Sequence, residues 1–204
     1  MMTLFRHPLS GHSHRVELLL SHLGLEFDRV DVDLMKGEHR ADEFLTRNPF
    51  GQVPVLLDGD VVLNESSAIL IYLARRYGDA TLLPADPVVE AEVNRWLAIG
   101  NTKLIDGPAA ARLVNVFNAT LDLATAQAKA ATLLDVMEAT LKGHSFLVDN
   151  DRSLADIAMY AYVAHAPEGG VSLAPYTEVR AWLSRVEALS GFVPMQITRV
   201  ALAA

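Results

Sequence analysis

The chain has 204 residues, 51% of them hydrophobic, with a formal net charge of −8 and no cysteine. That length and apolar content are ample for a buried core, in one large or two small domains. The interspersed charges leave no basic stripe for nucleic acid, no apolar run reaches the length of a membrane span, and the lack of cysteine excludes disulfides, thiolate metal sites and a cysteine nucleophile.

The opening Met1-Met2-Thr3-Leu4-Phe5-Arg6 is too short and too soon interrupted to be a signal peptide, which points to the cytoplasm. Thr3 to Phe5 reads as a short strand. From Ser13 to Leu23 the apolar residues Val16, Leu19, Leu20 and Leu23 fall at helical spacing, with Gly24 as the stop. Phe27 to Val32 is a second strand. A short helix over Arg40 to Arg47 ends at Asn48-Pro49. Pro54 to Leu57 and Val61 to Leu63 flank Asp58-Gly59-Asp60, a hairpin signal. Ser66 to Tyr77 is a helix apolar on most sides. The order is β-α-β-α-β-β-α, with a crossover that predicts one parallel strand pair.

Residues 79–87, rich in turn formers, read as a linker between a domain of residues 1–78 and one of residues 88–204. Strand signals then vanish. Val89, Val93, Trp96 and Leu97 start a long helix, Leu121 to Leu141 contains a second, and Val179, Trp182, Leu183, Val186 and Leu189 mark a fourth. Between them, Ser153-Leu154-Ala155-Asp156 has the form of a capping box before a third helix, so Ser153 and Asp156 are read as structural.

The stretch Asn48-Pro49-Phe50-Gly51-Gln52-Val53-Pro54-Val55-Leu56 carries the most information. A proline opening an apolar strand removes a ladder donor and marks an edge, a bulge or a cis bond. Further on, Glu65 and Ser66 place an acceptor and a hydroxyl at a helix N-terminus, where an anion is favoured. A backbone ladder at Val53 and an anion-and-amine site at Glu65 and Ser66 together suit a small zwitterionic peptide. The plainer alternative for Glu65 and Ser66 is an acidic first turn with Asn64 as the cap.

Five segments resemble motifs of the cytosolic glutathione transferase superfamily, in order and at the usual distances. They are Leu9-Ser10-Gly11-His12-Ser13-His14-Arg15-Val16, similar to the serine-type motif of theta-like and related bacterial classes; Lys36-Gly37-Glu38-His39; Gln52-Val53-Pro54; Glu65-Ser66; and Ser153 to Asp156. The resemblance implies an N-terminal thioredoxin-like α/β domain followed by an all-α helical bundle. It implies glutathione as co-substrate, no metal, a small hydrophobic electrophile as the second substrate, and a homodimer. Ser10 is the implied catalytic residue, donating a hydrogen bond to the glutathione sulfur. His12, His39, Gln52, Val53, Pro54, Glu65 and Ser66 are the implied glutathione contacts. Ser13 competes with Ser10 and reads as the better-placed helix cap. His12 reads equally as a partner of the sulfur or as a solvated loop residue, and it stands where the beta and zeta classes carry a cysteine. Gln52 stands where many relatives have lysine, which weakens the grip on the glycine carboxylate unless His39 supplies charge. Glutathione-dependent peroxide reduction, and a binding or regulatory role without catalysis, are the alternatives to conjugation.

Overall fold

A computed structural model describes residues 2–198. The chain divides into two compact units. The first comprises the residues up to Asp79 together with Leu189–Gln196, and the second runs from Ala80 to Ala188 and takes up again at Ile197.

The first unit is built on a four-stranded sheet ordered β2-β1-β3-β4. Strand β1 (Met2–Arg6) pairs in parallel with β2 (Phe27–Asp31) and antiparallel with β3 (Val55–Asp58), which turns back into β4 (Val61–Asn64). The parallel pair requires a crossover, and α1 (Gly11–His22) supplies it. Helix α3 (Ser66–Tyr77) packs beside α1. Leu4, Val16, Leu19, Leu20, Leu56, Ile69, Leu70 and Leu73 are fully buried. A second apolar cluster joins Val32, Phe44 and Val55, with Phe5 edge-on to Phe44 at 6.3 Å.

Two local expectations change. Helix α1 starts two residues earlier than its apolar spacing predicts, because Ser10, not Ser13, is the cap: its side chain accepts from Ser13 N–H at 3.2 Å. Ser13 lies inside the helix, buried, with Oγ accepting from His7 N–H at 3.3 Å. The helix read over Arg40 to Arg47 is a 3₁₀ turn at Glu38–Arg40 followed by the single α-turn of α2 (Asp42–Leu45).

The strap Leu189–Gln196 belongs to this first unit, although the sequence reading assigns it to the helical half. Two histidines on α1 hold it. His14 Nε2 donates to Val193 O and His22 Nδ1 to Ser190 O, each at 2.8 Å.

The second unit is helical. Helix α4 (Pro87–Gly100) starts on Asp86, which accepts from Val88 and Val89 N–H at 3.0 Å, with Pro87 at the first helical position. Helix α5 (Ala110–Phe117) is not anticipated from the sequence, and it is entered through a π-turn at Ile105–Ala109 that contains Pro108. Then follow α6 (Leu123–Thr140), α7 (Leu154–Ala164) and α8 (Thr177–Glu187). The capping box of α7 is complete. Ser153 accepts from Ala155 N–H at 3.2 Å, and Asp156 Oδ2 accepts from Ser153 N–H at 2.9 Å. Asp156 Oδ1 accepts in addition from Trp182 Nε1 at 2.8 Å and Leu147 N–H at 3.0 Å. Among the described residues no helix is long and apolar enough to cross a membrane.

Candidate active site

The loop between α2 and β3 forms one wall of a cleft in the first unit. Asn48 is buried and organises that loop: its side-chain amide donates to Gln52 O at 2.8 Å and its Oδ1 accepts from Phe50 N–H at 3.1 Å. Gly51 sits at φ +60, and a Cβ there would stand 2.8 Å from His39 O. Only glycine combines that backbone with that approach. The Val53–Pro54 peptide bond is cis. Val53 has no hydrogen-bond partner for its N–H or C=O among the described residues. An extended ligand can therefore pair with it as a strand does.

The cleft has two adjoining parts. The larger, about 370 Å³, is lined by Ser10, His12, Leu34, His39, Arg40, Gly51, Gln52 and Val53. The smaller, about 60 Å³, is lined by His12, Asn48, Gln52, Val53, Pro54, Glu65 and Ser66. His12, Gln52 and Val53 border both, so every glutathione contact implied by the sequence lies on this one cleft. Ser153 and Asp156, read as structural, lie in the second unit and cap α7.

At the small end, Glu65 precedes α3 with φ +65 and ψ 106, and its side chain makes no cap. A non-glycine residue in that region is costly, and such outliers cluster at ligand sites. Asn64 is not the cap either: its amide donates to Arg47 O at 3.3 Å. Among the described residues no side chain caps the N-terminus of α3, which favours an incoming anion. Ser66, the first residue of α3, is 5% exposed, and its Oγ lies 3.1 Å from His12 Nδ1 and 3.4 Å from Arg15 Nη1.

His12 is not a solvated loop residue. It lies in the first turn of α1, and burial, then the Arg15 charge, push its imidazole down to about 3. A ring that resists protonation so strongly is a poor proton acceptor at neutral pH. The three nearby histidines do not converge as metal ligands do: His7 Nδ1 accepts from Leu9 N–H at 3.2 Å, His12 meets Ser66, and His14 holds the strap.

At the large end, Ser10 uses a lone pair to cap α1, and its hydroxyl proton has no acceptor among the described residues. His39 Nδ1 is buried without a hydrogen-bond partner among the described residues. Arg40 lies beside it with no ion-pair partner among the described residues. Arg40, Asn48 and Arg15 escape the sequence reading. Arg40 directly follows His39, and its charge next to the Lys36-Gly37-Glu38-His39 loop was the available signal. Asn48 reads from sequence as a helix stop only. Arg15 reads as part of an amphipathic helix, yet it is fully buried against Ser66.

A thioredoxin-like sheet with its cis-proline loop, a serine at the head of α1 and an uncapped α3, followed by a helical unit, defines the glutathione transferase architecture, and the chain belongs to that family. Residues 1–75 match the family model of the glutathione S-transferase N-terminal domain and residues 108–190 that of the C-terminal domain. Glutathione S-transferase 3 of Zea mays is 34% identical, over 94% of this chain and 91% of its own length. A glutathione S-transferase structure from Pseudomonas fluorescens superposes with a TM-score of 0.89 at 32% identity, covering 95% of this chain and 98% of that one. A glutathione transferase homologue from Drosophila mojavensis, solved with bound glutathione, gives 0.81 at 29% identity over 92% and 88% of the two chains.

Proposed function

We propose that this protein is a glutathione transferase that binds glutathione along the cleft of its first unit and joins the sulfur to small hydrophobic electrophiles. The observation that carries the reading is the convergence of three open groups on one cleft: the Ser10 hydroxyl proton, the Val53 backbone pair and the uncapped N-terminus of α3. The γ-glutamyl carboxylate meets the start of α3 at Ser66, and Glu65 takes its amine. Val53 pairs with the cysteinyl unit. His39, Arg40 and Gln52 hold the glycine carboxylate, with Arg40 restoring the charge that Gln52 lacks. Ser10 donates to the sulfur. A free thiol titrates at about 8.5, and a donor at a helix N-terminus favours the thiolate. Alignment beside a second substrate adds the advantage of proximity, and half-buried Leu34 gives the larger part of the cleft an apolar lining there.

A cytoplasmic homodimer is part of the same reading. Its support is apolar surface on the first unit: Phe50 is 68% exposed, and Val61 and Val62 are exposed along the edge strand β4.

Calorimetric titration with glutathione, followed by an ultraviolet difference scan for bound thiolate and an assay with a small aromatic electrophile, tests the function. Binding with a thiolate band and turnover supports it. No binding at millimolar glutathione overturns it. Binding without thiolate or turnover assigns the chain to a non-catalytic role.

A further inference from the structure

Ser66 Oγ stands between two side chains of α1, His12 and Arg15, at 3.1 and 3.4 Å. The protons on these three groups decide what Ser66 offers a ligand. A guanidinium only donates, so Arg15 occupies one lone pair of Oγ. His12 is neutral at physiological pH, since burial and the Arg15 charge both oppose a second ring proton. It therefore carries one proton, on Nδ1 or on Nε2.

The two tautomers have opposite consequences. With the proton on Nε2, Nδ1 is an acceptor and the Ser66 hydroxyl donates its hydrogen bond to it. The serine side chain then shows only a lone pair to the cleft, and a carboxylate there meets the backbone N–H groups of α3 but no hydroxyl donor. With the proton on Nδ1, the ring donates to Oγ. Both lone pairs of Oγ are then used, by Arg15 and His12, and the hydroxyl proton is left for the cleft.

We infer that His12 is a positioning residue: its Nδ1-protonated tautomer sets the Ser66 hydroxyl as a donor to the γ-glutamyl carboxylate, and glutathione binding selects that tautomer. The inference rests on the glutathione-binding reading above and concerns how that site is set. It also separates the two ends of the cleft, with Ser10 acting on sulfur and His12 acting on binding through Ser66.

The test combines two variants with one measurement on the unaltered protein. His12→Leu removes the donor. His12→Asn keeps an amide N–H near the position of Nδ1. With S-methylglutathione as a probe that has no thiol, His12→Leu is expected to weaken calorimetric binding on the order of tenfold and His12→Asn to restore most of it. With glutathione, KM rises in His12→Leu while kcat stays within about twofold. In protein labelled with ¹⁵N-histidine, saturation with S-methylglutathione is expected to bring His12 to the Nδ1-protonated form; the Nε2-protonated form in the saturated protein overturns the inference whether or not the variants fold. Unchanged affinity in a folded His12→Leu variant overturns it too, as does a folded His12→Asn variant no better than His12→Leu. A fall in kcat at constant KM moves His12 to the sulfur and also overturns it. If the unaltered protein binds no glutathione, the functional reading itself fails; if it binds and the His12 results are flat, only this inference fails.

Discussion

Ser10 carries two roles that do not compete. A lone pair of its hydroxyl caps α1 through Ser13 N–H, and its proton is left for a ligand. Ser10→Ala therefore removes a cap and a sulfur donor together. Stability is expected to fall by about 1 kcal/mol, read from thermal unfolding. Turnover, assayed well below the melting temperature, is expected to fall tenfold to a hundredfold, equivalent to about 1.5–3 kcal/mol, at nearly constant KM for glutathione. An unchanged rate would move the sulfur donor elsewhere. Arg40 gives a second test: Arg40→Ala is expected to raise KM for glutathione roughly twofold to fivefold, the range of an exposed ion pair, with kcat unchanged. High salt should shrink the difference. That Val53, Glu65 and Ser66 lie on one cleft was legible because turn chemistry and helix starts leave local signatures, whereas Ser10 was named through the family resemblance. Arg15 and Asn48 were not, because their roles depend on burial against residues distant in the chain. Choosing Ser13 as the cap over Ser10 failed for a related reason: apolar periodicity marks where a helix becomes amphipathic, and α1 begins before that point, at Gly11.

At the level of elements, α7 is the clearest case of sequence specifying local structure. Its capping box was legible from four residues. What the sequence did not show is that Asp156 also joins Trp182 on α8 and the backbone of Leu147. Burial pushes this carboxyl up, against four donors that favour its charged form. Asp156→Ala loses the cap and strands buried donors, so a cost of about 2–5 kcal/mol is expected in denaturant unfolding, with KM for glutathione unchanged in the protein that remains folded. A loss of activity at unchanged stability would refute the structural role. Helix α5 and the π-turn before it were illegible for the opposite reason. Gly107-Pro108 is a breaker signal, and here the chain continues through it. A widened turn accommodates the proline, and the glycine lets α6 approach: a Cβ on Gly107 would lie 2.8 Å from Ala130 N. Tertiary packing overrides local propensity at that site.

For the whole molecule, the expected assembly changes its grounds. Helix α3 reads from sequence as apolar on most sides, but Ile69, Leu70, Leu73 and Ala74 are buried, and Tyr72 O–H donates to Asp58 at 2.7 Å. Exposed apolar side chains of the first unit include Phe50 and, on β4, Val61 and Val62. Light scattering across a dilution series is expected to give about twice the 22.2 kDa of one chain at micromolar concentration. Val62→Lys is expected to shift the equilibrium toward the single chain, and a mass near 22.2 kDa for the unaltered protein would refute the dimer.

The strap Leu189–Gln196 ties the order of synthesis to the order of folding. A ribosome releases the four strands early, yet the stretch that His14 and His22 hold arrives more than a hundred residues later. At roughly 5–20 residues per second, that delay is on the order of ten seconds. During it the nascent first unit shows a flank of α1 uncovered, with Met195, buried in the finished fold, not yet made. A chain stalled after Ala188 therefore presents a different surface to chaperones and proteases than the completed protein does.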